Sequence, residues 1–398
     1  RFEGKFLFNQ ITIYQSGGSC MNKVLLKELC TLEKGKQIDT SLLDDSNQYK
    51  YINGGTKESG FYSSYNTNGE TVLVSEGGAS CGFVNFINDP FWCGCHCYRL
   101  TNIKVKPLYL YYLLKGNQNN IMALRTGAAM PNIKKTTFSK LELKVDFDVV
   151  NQCNIINSLS NIEFAIENKK KQLESLDELI KSRFIEMFGT PGKNEKGWIL
   201  GSISDVGRCV AGATPSTKIK EYWENGTIPW MSSGEVNKGR IFDTETKISE
   251  LGYKNASTKL VPPHTVVLAM AGQGKTRGTV AITEIELCTN QSICSIVNNE
   301  KIDSEYLLMY LKMQYEELRN VSNGAEGRGG LNLKIIGKFP IMIPPIDHQI
   351  KFASIVKQVD KSKFVYHSKY FLWLILTFES STIAYSSVVS IFECPKRC

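Results

Sequence analysis

Histidine is scarce in this chain of 398 residues. There are four, His96, His264, His348 and His367, and no pair of carboxylates stands out beside any of them. Acid–base and nucleophilic chemistry therefore has few obvious carriers. Long apolar runs are missing too. The longest, Tyr370 to Phe378, falls far short of the roughly 20 residues that a membrane-spanning helix needs. The amino terminus lacks the basic-then-apolar order of a secretory signal. Twelve cysteines show no framework spacing, and several, such as Cys209, Cys288 and Cys294, sit in apolar runs. Free thiols in a reducing cytoplasm are the expectation. The two Pro-Pro pairs, Pro262-Pro263 and Pro344-Pro345, do not fit the Asn/Asp-Pro-Pro-aromatic motif of an amino-methyltransferase.

What the chain does have is a repeat. Tyr109-Leu110-Tyr111-Tyr112-Leu113-Leu114-Lys115 returns as Tyr306-Leu307-Leu308-Met309-Tyr310-Leu311-Lys312, 197 residues later. Gly127-Ala128-Ala129-Met130-Pro131-Asn132-Ile133-Lys134 returns as the glycine-rich passage Gly324 to Lys334, its asparagine displaced by 200. Gln152 and Gln349, again 197 apart, each open a helical pattern. Solenoid units run to roughly 20–50 residues, so this is a duplicated domain. Residues 21–150 and 196–346 are expected to be two similar α/β (α+β) domains related by a pseudo-twofold. Thr71 to Val74, Gly82 to Phe86, Thr265 to Met270 and Gly278 to Ile282 read as strands, and Leu108 to Leu114 and Glu305 to Leu318 as helices. Two like domains at a fixed distance suit a ligand with two like sites, of which duplex DNA is the commonest. A net charge of +8 permits a polyanionic partner without demanding one.

Between the copies, residues 151–190 read as one long helix. Ile155, Leu159, Ile162, Ile166, Leu173, Leu176 and Ile180 form a heptad seam with Lys169 as its polar position. Its core, from Asn154 to Phe188, would be about 52 Å long, and so needs a partner. Phe352, Val356 and Val359 repeat the spacing, which makes residues 347–364 the start of that partner. After Phe364 the charged texture stops, and residues 365–398 are expected to be an aberrant or frameshifted tail. Residues 1–20 are expected to be a non-native extension ahead of Met21.

Two motifs invite chemistry. Ala271-Gly272-Gln273-Gly274-Lys275-Thr276 imitates a phosphate loop, but Ala269 stands where the first glycine belongs and a strand follows where a helix should. A glycine turn carrying Gln273, Lys275 and Arg277 toward DNA is the functional reading, since Gln, Lys and Arg read purine edges; a solvated basic turn is the alternative. Arg328 joins them in the second domain, and Arg99, Lys104, Arg125 and Lys134 are the candidates in the first. Cys93-Gly94-Cys95-His96-Cys97 hints at a metal, but no second cysteine pair lies at zinc-site spacing, so a cysteine-rich strand with no metal is expected.

Gly212-Ala213-Thr214-Pro215-Ser216-Thr217, Tyr222-Trp223, Gly226 to Met231, and Ile343-Pro344-Pro345-Ile346-Asp347-His348-Gln349 carry a family resemblance. Asn53-Gly54-Gly55-Thr56, Ser75-Glu76-Gly77-Gly78 and the duplicated layout add to it. Over about residues 22–364 the chain resembles specificity subunits of Type I restriction-modification systems. The resemblance implies two target recognition domains, each reading half of a bipartite site in double-stranded DNA, and two helices paired antiparallel as a ruler. It implies no catalytic residues and no cofactor on this chain. S-adenosylmethionine, ATP and magnesium would sit on modification and restriction subunits. The tail after Phe364 departs from the family's charged, Leu-rich second helix. A coiled-coil scaffold that binds proteins rather than DNA is the alternative.

Overall fold

A computed structural model describes residues 21–127, 130–272, 276–322 and 330–380, with side chains described as far as Lys363 except that of Ser322. Two compact units divide between Lys169 and Lys170. The division falls at the one polar position of the heptad seam.

In the first unit, a four-stranded antiparallel sheet runs in the order Thr31–Lys34, Cys97–Thr101, Thr71–Ser75, Val84–Ile87. A three-stranded sheet runs Gly60–Tyr62, Tyr49–Ile52, Phe91–Cys93, with the last pair parallel. Asn22–Leu25 closes on Glu142–Val145, which ties the first strand of the domain to its last.

The second unit repeats this order and adds one edge strand. Its larger sheet runs Gly207–Ala211, Ile293–Asn298, Val266–Ala269, Val280–Thr283, Arg240–Ile241. Its smaller sheet runs Thr246–Ile248, Ile228–Met231, Cys288–Thr289, again with one antiparallel and one parallel neighbour. Ile199–Ser202 closes on Pro340–Ile343. The short parallel strand Arg240–Ile241 has no counterpart among the described strands of the first unit. Equal strand order in both halves is what a duplicated domain requires.

Local chemistry explains the elements. Val266–Ala269 and Val280–Thr283 are buried along their whole length and are rich in β-branched residues, which suit a strand covered on both faces. The helix Pro107–Gly116 starts on proline, whose missing N–H costs nothing at a first turn. Its counterpart Ser304–Met313 starts instead on Asp303, whose carboxylate accepts from the N–H groups of Glu305 and Tyr306. That helix stops at Gln314 and a second one, Tyr315–Ser322, follows, so the single helix expected from Glu305 to Leu318 is two.

The central helix spans Val149–Phe188, five residues earlier than the periodicity suggested. Its seam packs into the hydrophobic cores of both domains. Ile155, Leu159 and Ile162 are buried in the first hydrophobic core with Tyr109, Leu113 and Val145, and Ile166 packs on its edge. Leu173 is half-buried. Leu176, Ile180, Phe184 and Phe188 belong to the second core. Helix pairing is described there: Phe352, Val356 and Val359 share that core, Phe352 packs edge-on to Phe184 at 5.3 Å, and Lys363 pairs with Asp177. Higher numbers on one helix meet lower numbers on the other, so the pair is antiparallel. The C-terminal helix runs Ile346–Ser380, sixteen residues beyond the expected change at Phe364. Residues 1–20 and 381–398 lie outside the described residues.

The Cys93–Cys97 stretch is a tight turn, not the continuous strand expected. Cys93 ends one strand, Cys97 begins the next, and Gly94 to His96 turn between them. The Asn53 amide oxygen accepts the His96 N–H here and would lie 2.2 Å from a Cβ placed on Gly94. Only glycine fits so close an approach.

Candidate nucleic-acid interface

In each domain, two loops from distant parts of the sequence are stitched together at the same end of the larger sheet. In the first domain, strand Thr71–Ser75 feeds a loop that returns as Val84–Ile87. Gly78 and Gly82 hold φ of 78° and 83° there, a region open to glycine. The second loop closes on itself where Thr126 and Asn132 exchange backbone hydrogen bonds. The two loops then join: Gly78 N–H donates to the Pro131 carbonyl at 2.9 Å, and Ile133 N–H donates to the Glu76 carbonyl at 2.9 Å.

Beneath the junction is a polar group that the sequence did not announce. The Glu76 carboxylate is buried, with the Lys34 ammonium at 2.6 Å and the Tyr98 hydroxyl at 2.9 Å. That hydroxyl also donates to the Ile133 carbonyl at 3.0 Å. Burial first, and the neighbouring Glu76 next, push the Tyr98 phenol well above the usual tyrosine range, so it stays a donor.

The second domain repeats the arrangement. Val266–Ala269 and Val280–Thr283 are closed by Gly278 N–H on the Ala269 carbonyl and Ala269 N–H on the Thr279 carbonyl. Leu331 N–H donates to the Met270 carbonyl at 3.2 Å, joining the loop that follows helix Tyr315–Ser322. Arg319 lies over the Tyr315 ring at 5.5 Å and donates to the Arg277 carbonyl. Arg319 was not among the sequence candidates; its only sequence signal is its place on a helix with charged neighbours.

The candidates separate cleanly. Arg277 is half-buried at the carboxyl end of the second-domain loop. Gln273, Lys275 and Arg328 lie outside the described residues. In the first domain, Arg125 and Lys134 flank the loop that meets Glu76. Lys134 is exposed, and the Arg125 Nε is buried with no hydrogen-bond partner among the described residues. Arg99 and Lys104 are not brought to this junction. The Arg99 guanidinium is committed to Glu33 at 3.1 Å, the Asn66 carbonyl at 2.8 Å and the Thr67 hydroxyl at 3.1 Å. Lys104 lies past Thr101, at the end of its strand away from Cys97 and the junction.

Among the described residues no group of His, Cys, Asp and Glu is placed to hold a metal ion, and no helix is long and apolar enough to cross a membrane. What the geometry offers is a pair of joined loops at the end of a sheet, twice over. Loops on rigid scaffolds are where recognition is commonly placed.

Comparison with known proteins follows the same division. The family model for the Type I restriction modification DNA specificity domain matches twice, over residues 19–178 and 195–368. A type I specificity subunit of Mycoplasma genitalium is 28% identical over 235 residues, covering 56% of this chain and 61% of that relative. The specificity subunit of the Type I restriction enzyme MjaIX of Methanocaldococcus jannaschii is 34% identical over 176 residues, 42% of this chain and 39% of that one. The chain thus spans about three-fifths or less of these relatives. The crystal structure of the Type I restriction-modification S subunit from M. genitalium matches with a TM-score of 0.63 at 21% identity, covering 91% of this chain and 95% of that one, which is a likeness of fold. With the family model matched over both halves, the chain belongs to the family of Type I restriction-modification DNA specificity proteins.

Proposed function

We propose that this chain is the DNA-recognition subunit of a Type I restriction-modification complex in the cytoplasm. Each domain reads one half of a bipartite duplex site through its two stitched loops, and the chain contributes no catalytic residue of its own. Methyl transfer and cleavage belong to modification and restriction subunits, which carry S-adenosylmethionine, ATP and magnesium. The single observation that carries this reading is the repeat of one loop junction, at Glu76–Ile133 and at Met270–Leu331, on two sheets that share the order of four strands. Candidate side chains then sort by chemistry. Gln273, Arg277 and Arg328 are of the types that read base edges, whereas Lys275, Arg125 and Lys134 suit phosphates.

Titrating the purified chain with duplex DNA at several salt concentrations tests this. A polyanion interface gives a log–log slope of about −0.9 per phosphate neutralised. Binding that falls steeply with salt and persists for one bipartite sequence supports the proposal. A chain that ignores DNA and captures only protein partners is a coiled-coil scaffold instead.

A further inference from the structure

The strand registers place the two loop junctions in equivalent positions. In the first domain Val74 lies opposite Tyr98, and in the second Leu268 lies opposite Cys294. Two residues beyond Val74 and Leu268 stand Glu76 and Met270, whose carbonyls accept the matching N–H groups of Ile133 and Leu331. The backbone is the same, but the chemistry is not. Met270 and Cys294 belong to an apolar core. Glu76 and Tyr98 are a buried polar pair, and the exposed Lys34 reaches in to the Glu76 carboxylate.

We infer that the Lys34–Glu76–Tyr98 group is a positioning lock that sets the geometry of the first domain's two loops, and so the base preference of that domain's half-site alone. The inference rests on the proposed DNA reading. Its physical basis is direction. The Tyr98 hydroxyl has one proton and two acceptors, one on each loop: the Glu76 carboxylate at 2.9 Å and the Ile133 carbonyl at 3.0 Å. Hydrogen bonds weaken steeply with misalignment, so sliding either loop disturbs this arrangement. The Glu76 N–H donates to the His96 carbonyl, the Cys81 thiol donates to the Glu76 carbonyl at 2.9 Å, and Lys34 holds the carboxylate from a third strand. Glu76 is therefore fixed on several sides. An apolar junction such as that of Met270 lacks directional side-chain bonds and tolerates small shifts better. Glu76 and Tyr98 are buried beneath the loops, so they position the readers and do not read.

Tyr98→Phe removes the hydroxyl and keeps the ring that packs on Phe138. Glu76→Gln keeps the shape and removes the charge that Lys34 holds. Each full-length variant is produced with its own modification subunits in cells free of other DNA methylation, and the methylated motif is read by long-read sequencing beside a thermal melt. Both variants should loosen one block of the bipartite motif, raising methylation at its mismatched sites about 5- to 10-fold, the equivalent of one hydrogen bond. The other block, which Arg277→Ala alters, should stay intact. Unchanged motifs in both variants overturn the lock, as does equal loosening of both blocks, which mere destabilisation would produce. A wild-type complex that methylates no bipartite motif refutes the DNA reading itself, before any variant is compared, and the lock with it.

Discussion

The Gln349 side-chain oxygen accepts the backbone N–H of Asp303 at 2.8 Å, and 197 residues earlier Gln152 accepts the N–H of Lys106 at 2.9 Å. Both glutamines are buried, and both also donate to nearby carbonyls: Gln349 to Lys301 and Pro344, Gln152 to Asp146. Asp303 and Lys106 are the N-cap residues of the equivalent helices Ser304–Met313 and Pro107–Gly116. Each domain thus anchors the helix that leaves it to the start of a helix inside it, through one amide.

Replacing either glutamine with alanine leaves a part-buried N–H and at least one buried carbonyl without partners. Gln152→Ala and Gln349→Ala should each cost about 1–3 kcal/mol in urea or thermal unfolding. Costs within 0.5 kcal/mol, an ordinary surface value, would show that water or a neighbour takes over the bonds.

Arg240 binds the second domain to the C-terminal helix. Its guanidinium meets Glu284 at 2.7 Å, Glu305 at 2.8 Å and Asp360 at 2.9 Å, and it is one-quarter exposed. Arg240→Ala leaves three acids without their shared cation and should destabilise the protein by about 3 kcal/mol. Arg240→Lys should rescue little, since one ammonium cannot serve three carboxylates in a planar fork. Full recovery with lysine, read by thermal melting, would count against that geometry.

Acid should weaken the second domain through Glu235. Burial pushes this carboxyl up, but the Lys238 ammonium and the N–H groups of Ser232 and Glu245 outweigh it, holding it below its ordinary value of 4.5. A depressed folded value means stability that is present above pH 4.5 and is lost as pH falls through the lower folded value. Glu235→Gln should therefore flatten the acid limb of a stability–pH curve below that point. An unchanged limb would place the sensitivity in other carboxylates.

The duplication was legible because its signature is local. Tyr109 and Tyr306, and Gln152 and Gln349, hold like jobs in both copies, so their identities and spacing survive. Buried strands such as Val266–Ala269 were legible from β-branched runs. The parallel pairing of Tyr49–Ile52 with Phe91–Cys93 was not, because partners some 40 residues apart leave no pattern in either segment. The heptad seam was legible, and in the structure its stripe also packs into the domain cores. Ile155 and Leu159 are spaced for a helical partner, and a domain core accepts the same stripe. Around the interface, turn chemistry at Ser75 to Gly78 was visible, whereas the meeting of Lys34, Glu76 and Tyr98 depends on strand order that the sequence does not state.

Two arginines separate recognition from folding. Arg277→Ala should lower affinity for the cognate site by about 1–3 kcal/mol and relax one base position. Arg99→Ala should leave the motif unchanged and lower the melting temperature, because its guanidinium serves Glu33, Asn66 and Thr67. The reverse pattern, with Arg99 governing the motif and Arg277 only the stability, would exchange their assignments.

The central claim is that two copies of one domain read two separate half-sites. The most direct measurement is the genome-wide methylation motif of cells whose only methyltransferase complex contains this chain, compared with the motif after residues 196–346 are exchanged for the corresponding domain of a relative. Two base blocks separated by unspecified positions, of which one changes on exchange, is the predicted result. A single continuous motif, or one in which both blocks change together, would contradict it.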